Sequence, residues 1–424
     1  MANNVHITSG GIQKVLRNYN EKQAVAEYIW NGFDAKANQI NIDYSANSLG
    51  FIDSLSITDN GYGINFKQLK PKFDHFYESE KALQLAVHKN RSALHGKNGV
   101  GRLTFFKFAG QAEWETTFML ANKLKSGTIR IDGSNLNNYQ AVPVEVPLHP
   151  QTGTIVRFTN LKISEALLEK EIIPFLKAEF CWFLELNKKK KFVISINGKK
   201  LDYEDQVAER AEDIIYTFDE SRTSFRVKFI QWKENLHREL SKVYYISEKG
   251  EELYKDYTSL NKKADDYFHS VYIQSEFFTD FDFSNLEVET QFKLYNRSKS
   301  SAEYRYLSKE IHNLLVAKRK IFLKENSGKL IDRYENEGVI KPQEGKASGA
   351  KQRKLLHDTL KAMYEARPKL FSNLSLDQKK TVVSLVDVLL QSNQKNKIRT
   401  IMENITELET EERAEFDALL NSKA

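Results

Sequence analysis

Cysteine is nearly missing from this sequence of 424 residues, and Cys181 is the single instance. That excludes an internal disulfide framework and any zinc site built from several cysteines. Proline (7) and glycine (19) are scarce as well, so the usual punctuation is thin and boundaries must be read from periodicity. No apolar run approaches the roughly 20 residues needed to cross a bilayer. Met1-Ala2-Asn3-Asn4-Val5-His6 lacks the charged and apolar regions of a secretory signal. These absences lead to the expectation of a cytoplasmic protein with no membrane partner. A dominant charge is also lacking: 63 Lys and Arg face 57 Asp and Glu, for a net charge of +6. Such an excess permits contact with nucleic acid without arguing for it. The run Lys188-Lys189-Lys190-Lys191 directly precedes the strand-like Phe192-Val193-Ile194-Ser195-Ile196 and reads as a solvated turn.

What is present is a globular composition, 41% apolar and 28% charged, on a chain long enough for two or three domains. Residues 1 to about 160 mix helical and strand patterns and hold most of the glycine clusters. From about 190 to 295, β-branched and aromatic runs recur at Phe192–Ile196, Ser224–Ile230, Val243–Ile246, Ser270–Ile273 and Glu287–Phe292, which predicts a second αβ domain. Beyond Ser301, Ile311, Leu314, Leu315, Ala317, Ile321 and Leu323 follow helical spacing. Residues 342–350 have the composition of a linker. After it, Ser375-x-x-Gln378 predicts a capping box opening a helix through Leu390, with Val382, Leu385, Val386 and Leu389 as its packing stripe.

Four segments carry the chemistry. In Glu27-Tyr28-Ile29-Trp30-Asn31-Gly32-Phe33-Asp34-Ala35, a helical period of about 100° gathers Val25, Ala26, Ile29, Trp30 and Phe33 on one arc. Glu27, Asn31 and Asp34 then stack on the opposite arc. One turn apart, an amide oxygen can take a hard cation such as Mg²⁺ while a carboxylate orients or deprotonates a water. The second segment, Leu55-Ser56-Ile57-Thr58-Asp59-Asn60-Gly61-Tyr62-Gly63-Ile64, reads as a strand ending at Asp59. Its carboxylate can accept from an exocyclic amine, and Gly61 and Gly63 let backbone approach a flat ligand. The third, His95-Gly96-Lys97-Asn98-Gly99-Val100-Gly101-Arg102, precedes an apolar stretch with helical character. It offers backbone N–H groups and two cations to phosphate oxygens, yet matches neither the P-loop nor the Rossmann spacing. The fourth, Thr152-Gly153-Thr154-Ile155-Val156-Arg157-Phe158, is a strand whose Thr154 could join Asp59 at a base through a water. Taken singly, each is equally an amphipathic helix, a hairpin turn, a glycine-rich loop and an ordinary strand.

Taken in order, Glu-xxx-Asn-xx-Asp-Ala, Asp-x-Gly-x-Gly, Gly-xx-Gly-x-Gly and Gly-Thr resemble the motifs of the GHKL ATPases. That superfamily holds Hsp90 chaperones, type II topoisomerase ATPase subunits, MutL-like repair proteins, MORC-type ATPases and histidine kinases. The resemblance covers roughly residues 20 to 160. It implies an α+β chain: a Bergerat αβ sandwich over 1–165, a transducer-like αβ domain ending in a long helix over 166–340, and a C-terminal helical region over 351–424. By resemblance, Glu27 is the general base and Asn31 the Mg²⁺ ligand. Asp59 would read the adenine amino group, with Gly61 and Gly63 close to the base and Thr154 completing the site. Lys97, Asn98, Gly99, Val100, Gly101 and Arg102 would wrap the phosphates of ATP, under a lid near 73–94. A transducer cation reaching the γ-phosphate falls to Lys299, with Lys293 and Arg297 as rivals.

The module starts almost at residue 1, whereas histidine kinases usually place a phosphoacceptor helix pair before it, which favours the non-kinase branches. Gly99-Val100-Gly101 resembles the Hsp90-type phosphate loop more than the Gly-Glu-Ala of MutL, although the Hsp90 charged linker is not recognisable. Members of these branches commonly form ATP-dependent homodimers, and Val5, Ile7, Ile12 and Val15 could either pack across such an interface or cap their own domain. Three outputs stay open: an ATP-driven clamp acting on DNA or a separate effector protein, an Hsp90-like remodelling chaperone, and a nucleotide-sensing scaffold with little turnover. His6, His75, His88 and His95 have no partner at metal-ligand spacing.

Overall fold

The computed structural model describes residues 8–69, 101–237, 241–261, 265–283, 297–340, 347–392, 396–405 and 418. The chain divides into two compact units: residues 1–257 with 268–299, and residues 258–267 with 300–424.

The first unit opens with helices α1 (Ser9–Val15) and α2 (Glu21–Asp34). Thr8 caps α1 by accepting from the Gly11 N–H. A full capping box starts α2, with the Asn20 side chain accepting from the Gln23 N–H at 2.9 Å and Gln23 returning the bond to the Asn20 N–H at 3.3 Å. Eight strands follow: β1 (Gln39–Ala46), β2 (Ile52–Asp59), β3 (Gln111–Leu120), β4 (Lys123–Asp132), β5 (Gln140–Val144), β6 (Gly153–Thr159), β7 (Val193–Ile196) and β8 (Lys199–Lys200). They form one sheet in the order β5-β4-β3-β6-β2-β1-β7-β8, antiparallel except for the β1–β7 pair. Alternation decides which face is covered: Ile40, Ile42, Leu55, Ile57, Trp114, Val156 and Phe158 are buried. The other face carries polar pairs such as Arg157 with Glu115, at 3.1 and 3.2 Å. Helices on one face of an eight-stranded sheet agree with the Bergerat ATPase fold that the resemblance implies. Ile12 is buried in this core and Val15 packs against it, while Val5 and Ile7 lie outside the described residues.

A helical turn at Glu165–Leu167 leads into α3 (Ile173–Leu186), whose second half, Phe180–Glu185, is buried throughout. Trp30 and Phe33 of α2 meet Phe180 and Phe183 with ring centroids 4.5 to 6.0 Å apart. Its other flank meets a second sheet of β9 (Val207–Phe218), β10 (Thr223–Trp232), β11 (Lys242–Ile246), β12 (Glu252–Tyr257) and β13 (Phe268–Gln274), in the order β12-β11-β13-β10-β9. Trp182 stacks on Tyr244 at 5.6 Å, and the Tyr272 hydroxyl donates to the Trp182 carbonyl at 3.0 Å. Cys181 is free and buried. The lysine run forms a short 3-10 turn at Lys188–Lys190, where Lys189 donates to Gln274.

The second unit is helical: α4 (Ala302–Asn336), α5 (Ala347–Ala366), α6 (Leu376–Gln391) and α7 (Asn396–Ile405). Leu330, Tyr334, Leu360, Met363, Phe371, Val383, Val386, Leu390 and Met402 build its core. The Ser375–Gln378 capping box forms as expected. The packing stripe of α6 differs from the expected one: Val383, Val386 and Leu390 are buried, Val382 and Leu389 flank them, and Leu385 points outward at 52% exposure. The apolar arc is wide enough to be entered at two rotations, and the neighbouring helices select one. Helix α5 begins at Ala347, inside the expected linker. The strand expected at Glu287–Phe292 lies outside the described residues. Among the described residues, no helix is long and apolar enough to cross a membrane.

Glu185, near the end of α3, is fully buried. It accepts from Lys228 Nζ at 2.6 Å, the Tyr203 hydroxyl at 2.8 Å and Arg210 Nη2 at 3.2 Å. Burial pushes its carboxyl up, but Lys228, Tyr203 and Lys188 more than offset this and hold it below the usual range. Its contribution is therefore present at neutral pH and lost as pH falls through the carboxylate range. Glu185→Leu takes from Lys228 its buried carboxylate, whereas Arg210 keeps Glu204, and is expected to cost about 3 kcal/mol. Urea denaturation followed by circular dichroism measures this; an unshifted midpoint would mean that the cluster contributes nothing.

Candidate functional site

Helix α2 sits directly on the ends of β1 and β2, and Gly32 makes that seat. A Cβ there would collide with Ile40 Cδ1 and lie 3.1 Å from Asp59 Cβ. The cost of a glycine inside a helix, about 1 kcal/mol relative to alanine, is thus offset by a close helix–sheet approach. Val25, Ala26, Ile29, Trp30 and Phe33 are all buried as the periodicity implies. Glu27 and Asn31 are half-buried, one turn apart, whereas Asp34 is buried at 7% exposure.

Asp59 ends β2 on the covered face. Strand register sets Thr154 of β6 opposite Asp59 of β2, and Thr116 of β3 opposite Thr154. Three residues distant in the chain therefore stand side by side. Thr154 Oγ1 lies 3.1 Å from Thr116 Oγ1, which accepts from the Ile64 N–H at 2.8 Å. The Gly61 N–H donates to Asp59 Oδ1 at 2.8 Å. A Cβ on Gly61 would come within 2.9 Å of that oxygen. Gly63 has φ +74°, and a Cβ there would strike the Thr117 carbonyl oxygen, so both space and backbone require glycine. The segment is not a hairpin turn: β2 is paired by β1 on one side and β6 on the other. Asn60 closes the loop, its Oδ1 accepting from the Asn38 and Gln39 N–H groups at 3.0 Å each.

Beyond the glycine-rich segment, Gly101–Lys107 is a 3-10 helix rather than a full α-helix. Its first residue abuts α2, since a Cβ on Gly101 would lie 2.6 Å from Glu27 Oε2. The Tyr28 hydroxyl donates to the Arg102 carbonyl at 2.7 Å. Thr104 Oγ1 lies 2.7 Å from Gly101 O and 3.2 Å from Ala24 O, donating to one at a time. The structure thus gathers Glu27 with Gly101, and Asp59 with Gly61 and Thr154, around one helix. Lys97, Asn98, Gly99, Val100, the 73–94 segment, His75, His88, His95 and Lys293 lie outside the described residues. Lys299 is set on the second sheet, where Nζ donates to Asp256 at 3.1 Å and lies over the Tyr254 ring. It is not among the residues these contacts bring to Glu27 or Asp59.

Sequence reasoning missed Thr116, Tyr28, Thr104 and Gly32 as parts of this arrangement. Gly32 carried a readable signal, a glycine in a strongly periodic helix. The threonines carried none, because strands commonly contain threonine.

Burial raises the Asp59 carboxyl to about 6, against the lowering effect of the Gly61 and Thr154 backbone N–H groups. With the folded value above the unfolded one, this residue's stabilising linkage is complete below about pH 4 and is lost as pH rises through about 6. Asp59→Asn is expected to flatten that fall, on the order of 2 kcal/mol. Denaturation midpoints of both proteins between pH 4 and 7 check it, and parallel curves would refute the assignment.

The described residues include no group of three His, Cys, Asp or Glu side chains that could hold a metal ion. Asn31 supplies a single oxygen donor, so a cation here would take most of its ligands from phosphates and water, an arrangement that suits Mg²⁺. Gly61 lies against Asp59 and Gly101 against Glu27, so backbone borders both carboxylates. Residues 19–160 match the family described as histidine kinase-, DNA gyrase B-, and HSP90-like ATPase. No curated protein matches the chain.

Proposed function

We propose that this chain, whose residues 19–160 match the family described as histidine kinase-, DNA gyrase B-, and HSP90-like ATPase, binds ATP with Mg²⁺ between α2 and the β2 end and hydrolyses it to drive a clamp or switch. The observation that carries the reading is the convergence on α2: Gly101 against Glu27 on one side, Asp59 with Thr154 beneath Gly32 on the other.

In this reading Asp59 accepts from the adenine amino group, with Gly61, Gly63 and Thr154 shaping the base site. Glu27 orients and deprotonates the attacking water. Asn31 holds Mg²⁺, which when bound neutralises charge on the transferring phosphoryl group. Gly101 and Arg102, fixed by Tyr28 and Thr104, end a phosphate cradle that Lys97, Asn98, Gly99 and Val100 complete. Lys299 reaches the γ-phosphate only by leaving Asp256. That pair is partly exposed, with side chains 28% and 38% accessible, so its release costs roughly 0–1 kcal/mol. Nucleotide binding then closes the 73–94 lid and brings two copies together, and the movement acts on DNA or a partner protein.

Glu27→Ala is expected to keep ATP binding and to lose turnover by about 10²-fold or more. Phosphate release and equilibrium binding of a labelled analogue separate the two effects. Normal hydrolysis by the variant would remove Glu27 from its role. Because the free Asp59 carboxyl titrates near 6 and the proposed contact uses its ionised form, ATP affinity is expected to weaken roughly tenfold per pH unit below that value. Calorimetry at pH 5 and 7 tests this, and equal affinities would exclude Asp59 as the adenine acceptor.

A further inference from the structure

The net charge of +6 conceals an uneven distribution. Residues 1–299 hold 40 Lys and Arg against 39 Asp and Glu, residues 300–402 hold 21 against 11, and residues 403–424 hold 2 against 7. The excess of positive charge therefore belongs to the helical unit.

Packing leaves that excess in place. Several acidic groups of that unit are occupied by internal contacts: Asp265 takes Arg319 at 2.6 Å, Glu335 takes Arg353 and His357, and Glu337 takes Lys379 at 2.7 Å. Glu365 accepts from the Ser327 hydroxyl at 2.6 Å, and Asp387 accepts from Gln352 at 3.1 Å. Exposed positions meanwhile include Arg305, Lys309, Lys320 and Lys324 on α4, and Lys351 and Lys354 on α5. At about 100° per residue the four on α4 fall within an arc of roughly 100° that contains no Asp or Glu, over about 28 Å of helix.

We propose that this face of the helical unit binds the phosphate backbone of duplex nucleic acid without regard to sequence. A duplex presents one negative charge per roughly 1.7 Å of axis, and point cations spaced along a rigid helix suit it. An anionic membrane suits the face less well, since an interfacial helix needs a broad apolar side. The large apolar residues exposed on α4 are Val316 and Ile321 alone among those described. The inference rests on the reading above only in taking DNA as what the clamp acts on.

The test uses the full chain and a labelled 30-base-pair duplex of arbitrary sequence, followed by fluorescence anisotropy from about 50 to 200 mM salt. Wild-type affinity is expected to fall linearly on a log–log plot. Lys309→Gln/Lys320→Gln/Lys324→Gln is expected to lose at least tenfold in affinity at low salt and to flatten the slope by about 2 to 3, near 0.9 for each phosphate no longer neutralised. The same three changed to Arg should restore binding, and Lys199→Gln/Lys200→Gln on the first unit should leave it unchanged. Equal affinity and slope in the triple Gln variant, or binding to phosphatidylserine vesicles but not to duplex, overturns the proposal. Basal ATP turnover is measured on the same samples and should not differ between the triple variant and wild type. If Glu27→Ala loses turnover while duplex binding ignores the lysines, this inference fails alone. If duplex binding follows the lysines while Glu27→Ala hydrolyses normally, the ATPase assignment fails alone.

Discussion

The close seat of α2 on the sheet at Gly32 governs the candidate site. With no side chain at that position, the helix comes down until Asp59 Cβ and Ile40 lie against its backbone. A helix axis displaced by even the width of a methyl group would separate Gly32 from Asp59 and Glu27 from Gly101. Interiors are packed tightly enough that such a shift would propagate into the aromatic contacts on the far side of the helix. The half-buried polar pair Glu27 and Asn31 and the buried apolar arc are thus two consequences of one placement.

Helix α3 carries that placement into the second sheet. The Trp30 indole N–H, next to Asn31 in the chain, donates to Glu179 Oε1 at 3.1 Å, and the other oxygen of Glu179 meets His237 Nδ1 at 3.0 Å. Phe175 stacks on the same imidazole at 4.3 Å. Glu185, one and a half turns further on, meets Lys228 and Arg210 of the second sheet. Two carboxylates on one helix therefore tie the α2 side to β9, β10 and the segment beyond β10. The α2 side and the second sheet are thus joined through α3 by hydrogen bonds and ion pairs as well as by apolar packing.

Much of the local structure was legible in the residues. The arc of Val25, Ala26, Ile29, Trp30 and Phe33 needed only the helical period, and the strand around Leu55 and Ile57 only the alternation of a half-covered sheet. The runs at 192–196, 224–230, 243–246 and 270–273 all became strands, because β-branched and aromatic residues suit a pleated, half-buried surface. The stripe of α6 was not legible, because the choice between Leu385 and Leu390 depends on which helices pack against it, and those neighbours are not visible in a local window.

What the sequence by itself determined are relations within one element: Glu27 one turn from Asn31, Asp59 at a strand end with Gly61 and Gly63 behind it, and Ser375 three residues before Gln378. Backbone periodicity sets those distances whatever the rest of the chain does. Only the tertiary structure decided that Thr154 faces Asp59, that Thr116 faces Thr154, and that Gly101 touches Glu27. Strand order and register are long-range choices, settled by which apolar faces can be buried together, and no spacing along the chain encodes them. The position of Lys299 beside Asp256 was decided in the same way, by where β12 came to lie.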